Sequence, residues 1–424
     1  MLIHSASQLL TLKGGPQRGS RLGELEIIEN GAVLIRDSKI ADVGDTNKLL
    51  EKYPNVDLFD AKNRTVMPGF VDAHTHLVWA GNRASEFEQR LQGRTYLEIL
   101  EAGGGILSTV EASRTASIDQ LVEESMPRAW QAFTHGSTSI EVKTGYGLSL
   151  ESELKLLEAI LRLDDAGPWE LTPTFLAAHA IPKEYEGRSG EYVQHVAEDM
   201  LPALSAWWAI NAINRNLPFV DVFCETGAFD LKQSRVIFEA AQALGFPIKV
   251  HADEFDNLGG ADLAMELNAI SADHLVSTSD EEIGQFGSSD TVAVSLPGTP
   301  FGLGQNDYTP AKKIIEADGY LAVASDLNPG TAWGESLQFS LALACRYMGL
   351  TPAQSISSAT INGAAAIGRD RELGSIEVGK QADLLILREN DYRHLGYRFG
   401  TNLVHTIVKQ GKTYPIERKV NDID

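Results

Sequence analysis

Cysteine is scarce in this chain. Of its 424 residues only Cys224 and Cys345 carry a thiol, and neither belongs to a CxxC motif. Two widely separated cysteines exclude the disulfide framework that stabilises many small secreted domains. Such cysteine usage is typical of a reducing compartment, and we therefore expect a cytoplasmic location.

Basic residues are outnumbered by acidic residues, and long apolar runs are absent from the sequence. The chain has 36 Lys and Arg against 58 Asp and Glu, a net charge of −22. Nucleic acids and anionic membrane surfaces attract clustered cations, so we expect neither as a partner. The segment MLIHSASQLLTLKGG lacks the pattern of a signal peptide, and no run approaches the ~20 apolar residues that span a bilayer. The GGG at 103–105 is no phosphate loop, because no GK[ST] follows it.

What the chain does contain is a regular alternation of short apolar segments and helical patterns. The pattern SRVIFEAAQALG, for example, is amphipathic and should end at Gly245. Eight apolar segments alternating with helices predict an α/β fold, a (β/α)8 barrel of the TIM type, whose active site lies at the carboxyl ends of the strands. The predicted strands are 70–77, 138–147, 171–179, 219–225, 247–254, 269–276, 291–297 and 320–326.

The two flanks of the chain have a different sequence pattern from the middle. Residues 1–66 and residues 372–424 carry short alternating strands separated by turns, and neither flank is long enough to form a stable core alone. We expect them to pair into one small composite β-sandwich domain. The barrel, residues 67–371, would then be inserted between the two halves.

The stretch VDAHTHL places two histidines one residue apart at the end of the first predicted strand. Because residues i and i+2 of a strand point to the same side, His74 and His76 are either a packed pair or two ligands of one metal. A lone histidine at a strand end is more often a hydrogen-bonded structural residue. Packing does not readily explain a whole set of polar residues on one rim, and functional sites gather such groups. The set comprises His74, His76, His179, His251, His274 and Asp326.

Imidazole nitrogens with one carboxylate oxygen favour zinc or iron over calcium or magnesium. A catalytic centre of this kind keeps an open position, where the bound ion lowers the pKa of water to about 7. Glu254, three residues beyond His251, is the best-placed general base or acid. Alternatively, Glu254 is a solvated carboxylate in a loop with no catalytic role.

Several motifs together resemble the amidohydrolase superfamily of metal-dependent barrels. They are PGFVDAHTHL, HADE, SADHL, ASDLNPG and GSIEVGKQADLLIL. A longer set is similar to the imidazolonepropionase family within it, and the resemblance runs through nearly the whole chain. This set is AHTHLVWAGNRASEFEQRLQG, YLEILEAGGGILSTVEASR, IEVKTGYGL and SDLNPGT.

The resemblance implies one metal ion per chain, zinc or iron, held by His74, His76, His251 and Asp326. It implies catalytic roles in proton transfer and orientation for Glu254, His274, Asp326 and His179. It implies substrate contacts from Arg83, Tyr96, Tyr146, His179, Glu254, Asn328, Gly330 and Thr331. Relatives with two metals use a modified lysine at the end of strand four, but this chain has FVDVFCE there, which favours a single ion. Glu225 is a possible ligand for a second ion, and we expect it to be structural.

The resemblance further implies a reaction. A metal-activated water would hydrolyse the cyclic amide of 4-imidazolone-5-propanoate, an anionic imidazolone, to N-formimidoyl-L-glutamate in L-histidine degradation. Arg83 suits the propanoate because a guanidinium binds carboxylates bidentately, and the overall negative charge is largely screened beyond ~8 Å at physiological salt. Without the resemblance, Arg83 could be a surface arginine and Tyr146 an ordinary rim tyrosine.

Two other functions stay open on the sequence. One is deamination of a purine-like or other aromatic base by the same type of barrel, a reaction with no need for Arg83. The other is a non-catalytic scaffold, since fold does not fix function. A homodimer is the assembly that the family suggests.

Overall fold

The computed structural model describes residues 1–94 and 104–416. Its N-terminal flank contains five strands and a short helix: β1 Leu2–Leu10, β2 Ile27–Arg36, β3 Lys39–Asp45, α1 Thr46–Lys52, β4 Leu58–Asp60 and β5 Val66–Pro68. Asp37 and Ser38 both have positive φ, which is the geometry of the tight turn that joins β2 to β3. The Asp45 side chain caps α1 by accepting hydrogen bonds from the backbone N–H groups of Asn47 and Lys48.

Eight parallel strands follow, and they confirm the predicted barrel. All eight are largely buried, and most are predominantly apolar, as strands covered on both faces usually are; STSIEVK and SADH are the polar exceptions. Their order in the sheet is their order in the chain, so each connection crosses over to the next neighbour. They are β6 Phe70–Asp72, β7 Ser137–Lys143, β8 Glu170–Ala178, β9 Phe219–Cys224, β10 Ile248–Ala252, β11 Ser271–His274, β12 Val292–Ser295 and β13 Leu321–Val323.

The barrel closes just beyond the carboxyl ends of its first and last strands. The backbone N–H of Asp326 donates to the His74 carbonyl oxygen at 3.1 Å, and that of His76 donates to the Leu327 carbonyl at 2.8 Å. Thr75 and Leu327 form a parallel bridge between the same two segments. Closure therefore brings the residues of HTH beside Asp326.

Helices cover the outside of the barrel. Several begin with a capping box, in which a Ser, Thr or Asp side chain and a Gln or Glu three residues on bind each other's backbone N–H. No helix in the described residues is both long and apolar enough to cross a membrane. The helices are α2 Ala84–Leu91, α3 Ile106–Thr115, α4 Ile118–Thr134, α5 Leu150–Ala166, α6 Ser189–His195, α7 Leu201–Asn211, α8 Leu231–Ala243, α9 Gly260–Glu266, α10 Asp280–Gln285, α11 Gly298–Leu303, α12 Ala311–Glu316, α13 Leu337–Tyr347, α14 Pro352–Ser358 and α15 Ile361–Ala366.

The C-terminal flank returns to the N-terminal sheet, which confirms that the two flanks pair as predicted for the composite β-sandwich domain, and the structure builds this domain on one mixed sheet. Its elements are β14 Leu384–Leu387, α16 His394–Tyr397, β15 Val404–Lys409 and β16 Lys412–Pro415. β14 pairs antiparallel with β5, so the order across the sheet is β16-β15-β14-β5-β1-β2-β3, with β4 also on β1. The strands lie in a single mixed sheet of eight, whose buried side chains from both flanks form one apolar cluster.

Helix α15 packs tightly against the amino-terminal part of the barrel. Gly363 lies so close to β6 that a Cβ there would approach the Val71 carbonyl oxygen to 2.5 Å. Asn362 also donates to the Leu321 carbonyl, at 2.9 Å. A side chain at position 363 must therefore push the helix away from the strand.

We expect Gly363→Ala to lower the free energy of unfolding by about 1–3 kcal/mol, because overpacking displaces backbone. The matched control is Gly284→Ala in α10, where nothing lies within 4 Å of the added Cβ. That control should gain up to about 1 kcal/mol from helix propensity. Urea unfolding of both variants checks the pair, and equal stabilities would contradict the close packing of α15.

Candidate active site

The strand ends bring five predicted side chains to one point. His74 and His76 follow β6, His251 lies in β10, His274 ends β11 and Asp326 follows β13. All five are at least 97% buried. Asp326 Oδ1 lies 3.4 Å from His74 Nε2 and 3.7 Å from His76 Nε2, and the Nε2 atoms of His76 and His251 are 3.3 Å apart.

This cluster fits a metal ion. His74 Nε2 and His274 Nε2 are buried without a hydrogen-bond partner among the described residues. Burial lowers the pKa of His74, His76 and His274 well below the usual range, which favours neutral rings with a lone pair to donate. Two overlapping triplets each place their ligand atoms within 4.8 Å of one another: His74, His76 and Asp326, and His74, His251 and His274. The donor set is the one that zinc and iron accept.

Two carboxylates behind the cluster orient its rings. Asp273 Oδ2 lies 2.6 Å from His74 Nδ1, and Asp221 Oδ2 lies 2.9 Å from His251 Nδ1. Asp273 accepts the Nδ1 proton of His74, and Asp221 lies at ion-pair distance from Nδ1 of His251, so the two carboxylates favour Nε2 as the free donor atom of each ring. Both Nε2 atoms are thereby directed to the centre of the cluster.

Lys143 links those two carboxylates. Its buried Nζ lies 2.8 Å from Asp221 and from Glu141, and 3.7 Å from Asp273. Burial opposes the charged ammonium, but the carboxylates of Asp221, Glu141 and Asp273 outweigh it and raise the pKa of Lys143 above its ordinary range. Burial also opposes ionisation of Asp221, but His251 and Lys143 outweigh it and hold the pKa of Asp221 well below the usual range. The charged lysine thus provides the counter-charge for the buried carboxylates around it.

The backbone is strained where the site residues leave their strands. Asp326 and His274 have φ of 54° and 79°, values that residues other than glycine rarely adopt. Burial raises the pKa of Asp326 to about 6, partly opposed by a hydrogen bond from the Thr299 hydroxyl. Strain of this kind is common at functional sites and aims the two side chains inward.

His179 and Tyr146 extend the cluster along the cavity. The His179 ring stacks on His76, with centroids 4.9 Å apart and planes at 17°, and its Nδ1 donates to the Gly145 carbonyl at 3.1 Å. Burial lowers the pKa of His179 to about 3, so the neutral ring presents Nε2 as an acceptor. Gly145 is required here, since its φ is 104° and a Cβ would lie 2.8 Å from His179 Nδ1. Tyr146 lies 5.5 Å from His179 between ring centroids.

Glu254 and Glu225 have different surroundings. Glu254 lies in the cavity wall with Oε2 3.7 Å from His274 Nε2, and burial raises its pKa well above the usual range. Glu225 instead accepts backbone N–H bonds from Thr226, Phe255 and Asp256, at 2.8, 2.9 and 3.2 Å. Its carboxylate is thus engaged in holding the loop after β10.

A cavity of about 710 Å³ joins the cluster to an arginine-bearing wall. Arg83 Nε donates to Glu86 Oε2 at 2.8 Å, and the neighbouring wall is the loop of Asn328, Gly330 and Thr331. Asn328 Oδ1 accepts the backbone N–H groups of Gly330 and Thr331, each at 2.8 Å, which fixes that loop. The predicted contact Tyr96 lies outside the described residues.

Sequence reasoning missed the residues that support the cluster. Asp221 and Asp273 are charged residues inside the buried strands FVDVFC and SADH, and a charge in such a strand is a signal that it has a partner. Lys143 gives the same signal in STSIEVK. Arg90, a second arginine in the cavity wall, lies in the segment AHTHLVWAGNRASEFEQRLQG, but nothing in that pattern singled it out.

Eight parallel strands with buried histidines and an aspartate at their carboxyl ends define the class of metal-dependent hydrolase barrels. The Amidohydrolase family matches residues 65–414, and a bacterial imidazolonepropionase-like composite domain matches residues 31–55. The imidazolonepropionase of Herpetosiphon aurantiacus is 47% identical over 97% of this chain and 96% of its own length. That of Symbiobacterium thermophilum is 46% identical over 99% and 98%. The chain belongs to the imidazolonepropionase family of amidohydrolases.

Solved structures show the same fold in more distant proteins. An adenosine deaminase from Xanthomonas campestris with bound zinc has a TM-score of 0.70 at 18% identity, covering 100% of this chain and 94% of that one. Escherichia coli guanine deaminase has a TM-score of 0.70 at 14% identity, covering 98% and 99%. At such identities the likeness concerns the fold alone.

We expect Lys143→Met to weaken zinc binding by about 10–100-fold, because the carboxylates that orient His74 and His251 would lose their counter-charge. Competition with a chromogenic chelator measures the zinc affinity directly. The control is Lys155→Met, since Lys155 donates to three backbone carbonyls near α3 and lies outside the cluster. If both variants fold and bind zinc equally well, the lysine does not support the centre.

Proposed function

We propose that this enzyme hydrolyses the cyclic amide of 4-imidazolone-5-propanoate to N-formimidoyl-L-glutamate. The observation that carries the proposal is a single cavity with a His/Asp cluster at one part of its wall and Arg83 at another. The first part suits attack of water on a ring carbonyl, and the second suits the propanoate. Membership of the imidazolonepropionase family supports the same reaction.

His74, His76, His251 and Asp326 would hold one ion, zinc or iron. When bound, the ion supplies Lewis-acid chemistry that lowers the pKa of water and polarises a carbonyl. Asp221 and Asp273 keep the Nε2 atoms of His251 and His74 available to it. Glu225 takes no part, because its oxygens are engaged with loop N–H groups.

The substrate is held by the other part of the cavity. Arg83 pairs with the propanoate carboxylate through the face of its guanidinium that Glu86 leaves free. Tyr146 and the fixed loop of Asn328, Gly330 and Thr331 confine the ring beside the cluster. Tyr96 is assigned to the same substrate surface on family resemblance.

The buried acids and histidines transfer the protons during the reaction. Water gives one proton to Asp326 as it adds to the ring carbonyl carbon, the carbon–nitrogen bond breaks, and the departing nitrogen takes the proton of Glu254, which the proton on Asp326 then restores. Burial keeps Glu254 protonated, which suits delivery of that proton, and His274 at 3.7 Å can exchange one with it. Asp326 and His179 accept hydrogen bonds from the attacking water and the ring, and His274 stabilises the oxyanion when it carries the proton exchanged with Glu254.

Several broader assignments accompany the reaction. We propose residues 67–371 as the hydrolase barrel, and residues 1–66 with 372–424 as a composite β domain. A homodimer that binds no nucleic acid and works in the cytoplasm is consistent with the family and with the net charge of −22. Deamination of a neutral base is the less favoured reaction, since it leaves Arg83 without a role.

The metal-loaded wild-type protein should consume 4-imidazolone-5-propanoate, whereas the His74→Ala, His76→Ala double variant should show no turnover. Loss of imidazolone absorbance measures both, and mass spectrometry identifies the formimidoyl product. A matched double variant at half-buried histidines outside the cavity, His135→Ala with His195→Ala, should keep wild-type turnover. Release of ammonia from a purine base, with the imidazolone left intact, would instead establish a deaminase.

Glu254→Gln should lower kcat by about 10²–10⁴-fold, because the amide cannot deliver a proton. Its metal content should stay that of the wild type, since Glu254 is no proposed ligand. Glu239→Gln on the exposed face of α8 is the control. Near-normal kcat in Glu254→Gln would remove Glu254 from the proton path.

A further inference from the structure

A second arginine lines the same cavity as Arg83. Arg90 lies two helical turns further along α2, and its Nη2 donates to the Gly330 carbonyl oxygen at 3.2 Å. A Cβ added to Gly330 would collide with Nη1 of Arg83. Both guanidinium groups therefore contact one residue of the cavity wall.

The two arginines differ in their counter-charges. Arg83 is paired with Glu86, whose side chain is 11% exposed, so the charges of the two largely cancel for a ligand in the cavity. Arg90 forms no salt bridge in the part of the chain that the structure describes, and Glu86, already paired with Arg83, acts on it only as a nearby charge. The net positive charge of this wall thus resides on Arg90.

Arg90 is also under-used as a hydrogen-bond donor. A guanidinium has five N–H donors, and one of them meets Gly330 within residues 1–94 and 104–416. Burial lowers the pKa of Arg90, and the charge of Arg83 lowers it further, yet an arginine stays protonated at neutral pH. A half-buried, charged group with spare donors on a cavity wall is suited to an anion.

Acidic residues elsewhere in the cavity make the positive charge of Arg90 necessary for binding an anion. Glu225, Glu254 and Asp326 also line it, while His179 presents a neutral ring. With Arg83 offset by Glu86, an anionic side chain would find no net attraction at the arginine wall if Arg90 were absent. Arg83 can orient a carboxylate, but orientation and charge selection are separable tasks.

We propose that Arg90 is a specificity residue: it supplies the net positive charge that selects a substrate carrying a carboxylate, while Arg83, already paired with Glu86, orients that carboxylate. The inference deepens the proposed function and rests on it for the identity of the anion. A purely structural Arg90 would only tether the loop at Gly330. That role would affect neutral and anionic ligands alike.

Binding measurements separate the two roles without relying on turnover. The probes are 3-(imidazol-4-yl)propanoate, a ring that cannot be hydrolysed, and its neutral carboxamide. Calorimetry on metal-loaded protein gives the affinity of each probe for the wild type, Arg90→Gln, Arg90→Lys and the control Arg94→Gln. Arg94 is exposed, lies just beyond α2 and bonds to Gln89 outside the cavity.

Arg90→Gln should lose about tenfold or more in affinity for the propanoate, the effect of one lost charge-assisted bond, and little for the carboxamide. Arg90→Lys should keep most of the propanoate affinity, because the charge remains. Equal losses for both probes, equal losses in the lysine and glutamine variants, or no loss relative to Arg94→Gln would each overturn the proposal. So would a wild type that does not prefer the propanoate to the carboxamide.

Turnover then tests the reaction separately. Arg90→Gln should raise KM for 4-imidazolone-5-propanoate about tenfold with kcat nearly unchanged, since the charge acts on substrate and transition state alike. If the propanoate probe binds in an Arg90-dependent way but wild-type enzyme hydrolyses no imidazolone, the proposed reaction fails and the charge assignment stands. If wild-type turnover is normal and KM is the same in Arg90→Gln, the charge assignment fails and the reaction stands.

Discussion

The contact on which the rest of the site depends is the set of ion pairs around Lys143. A lysine inside a barrel is costly unless it is paired, and this one is within 2.8 Å of Asp221 and Glu141. Its charge favours the carboxylate form of Asp221 and pairs with Asp273 at 3.7 Å. Those carboxylates in turn hold Nδ1 of His251 and His74 and set which nitrogen of each ring is free. One buried cation thereby orients two histidines.

Closure of the barrel supplies the other constraint. The last strand returns beside the first, and backbone hydrogen bonds between His74 and Asp326 fix the distance between two proposed ligands. The strained backbone at His274 and Asp326 then turns both side chains inward. Because these residues belong to the frame of the barrel, the cluster is pre-organised and does not depend on a flexible loop.

Acidic and basic residues occupy different parts of the cavity wall. Neutral histidines and buried acids surround the cluster, and the arginines lie on a separate part of the wall with Glu86 between them in sequence. This division suits a substrate whose reacting ring and anionic chain make different demands. The net charge of −22 does not prevent recognition of an anion. Distant charges are screened by salt, so the charged groups of the cavity wall determine the potential that a bound anion experiences.

The sequence alone determined the eight barrel strands, because buried parallel strands begin as apolar runs and most of these runs end in His, Asp, Glu or a Gly/Pro turn. It also determined which histidines, together with Asp326, stand at those ends. Tertiary structure alone decided how Lys143, Asp221 and Asp273 meet, since they belong to three different strands and their pairing depends on barrel closure. It likewise decided that the guanidinium groups of Arg83 and Arg90 both meet Gly330 in the cavity wall. Ion pairing depends on distances between side chains, and spacing along the chain does not specify them.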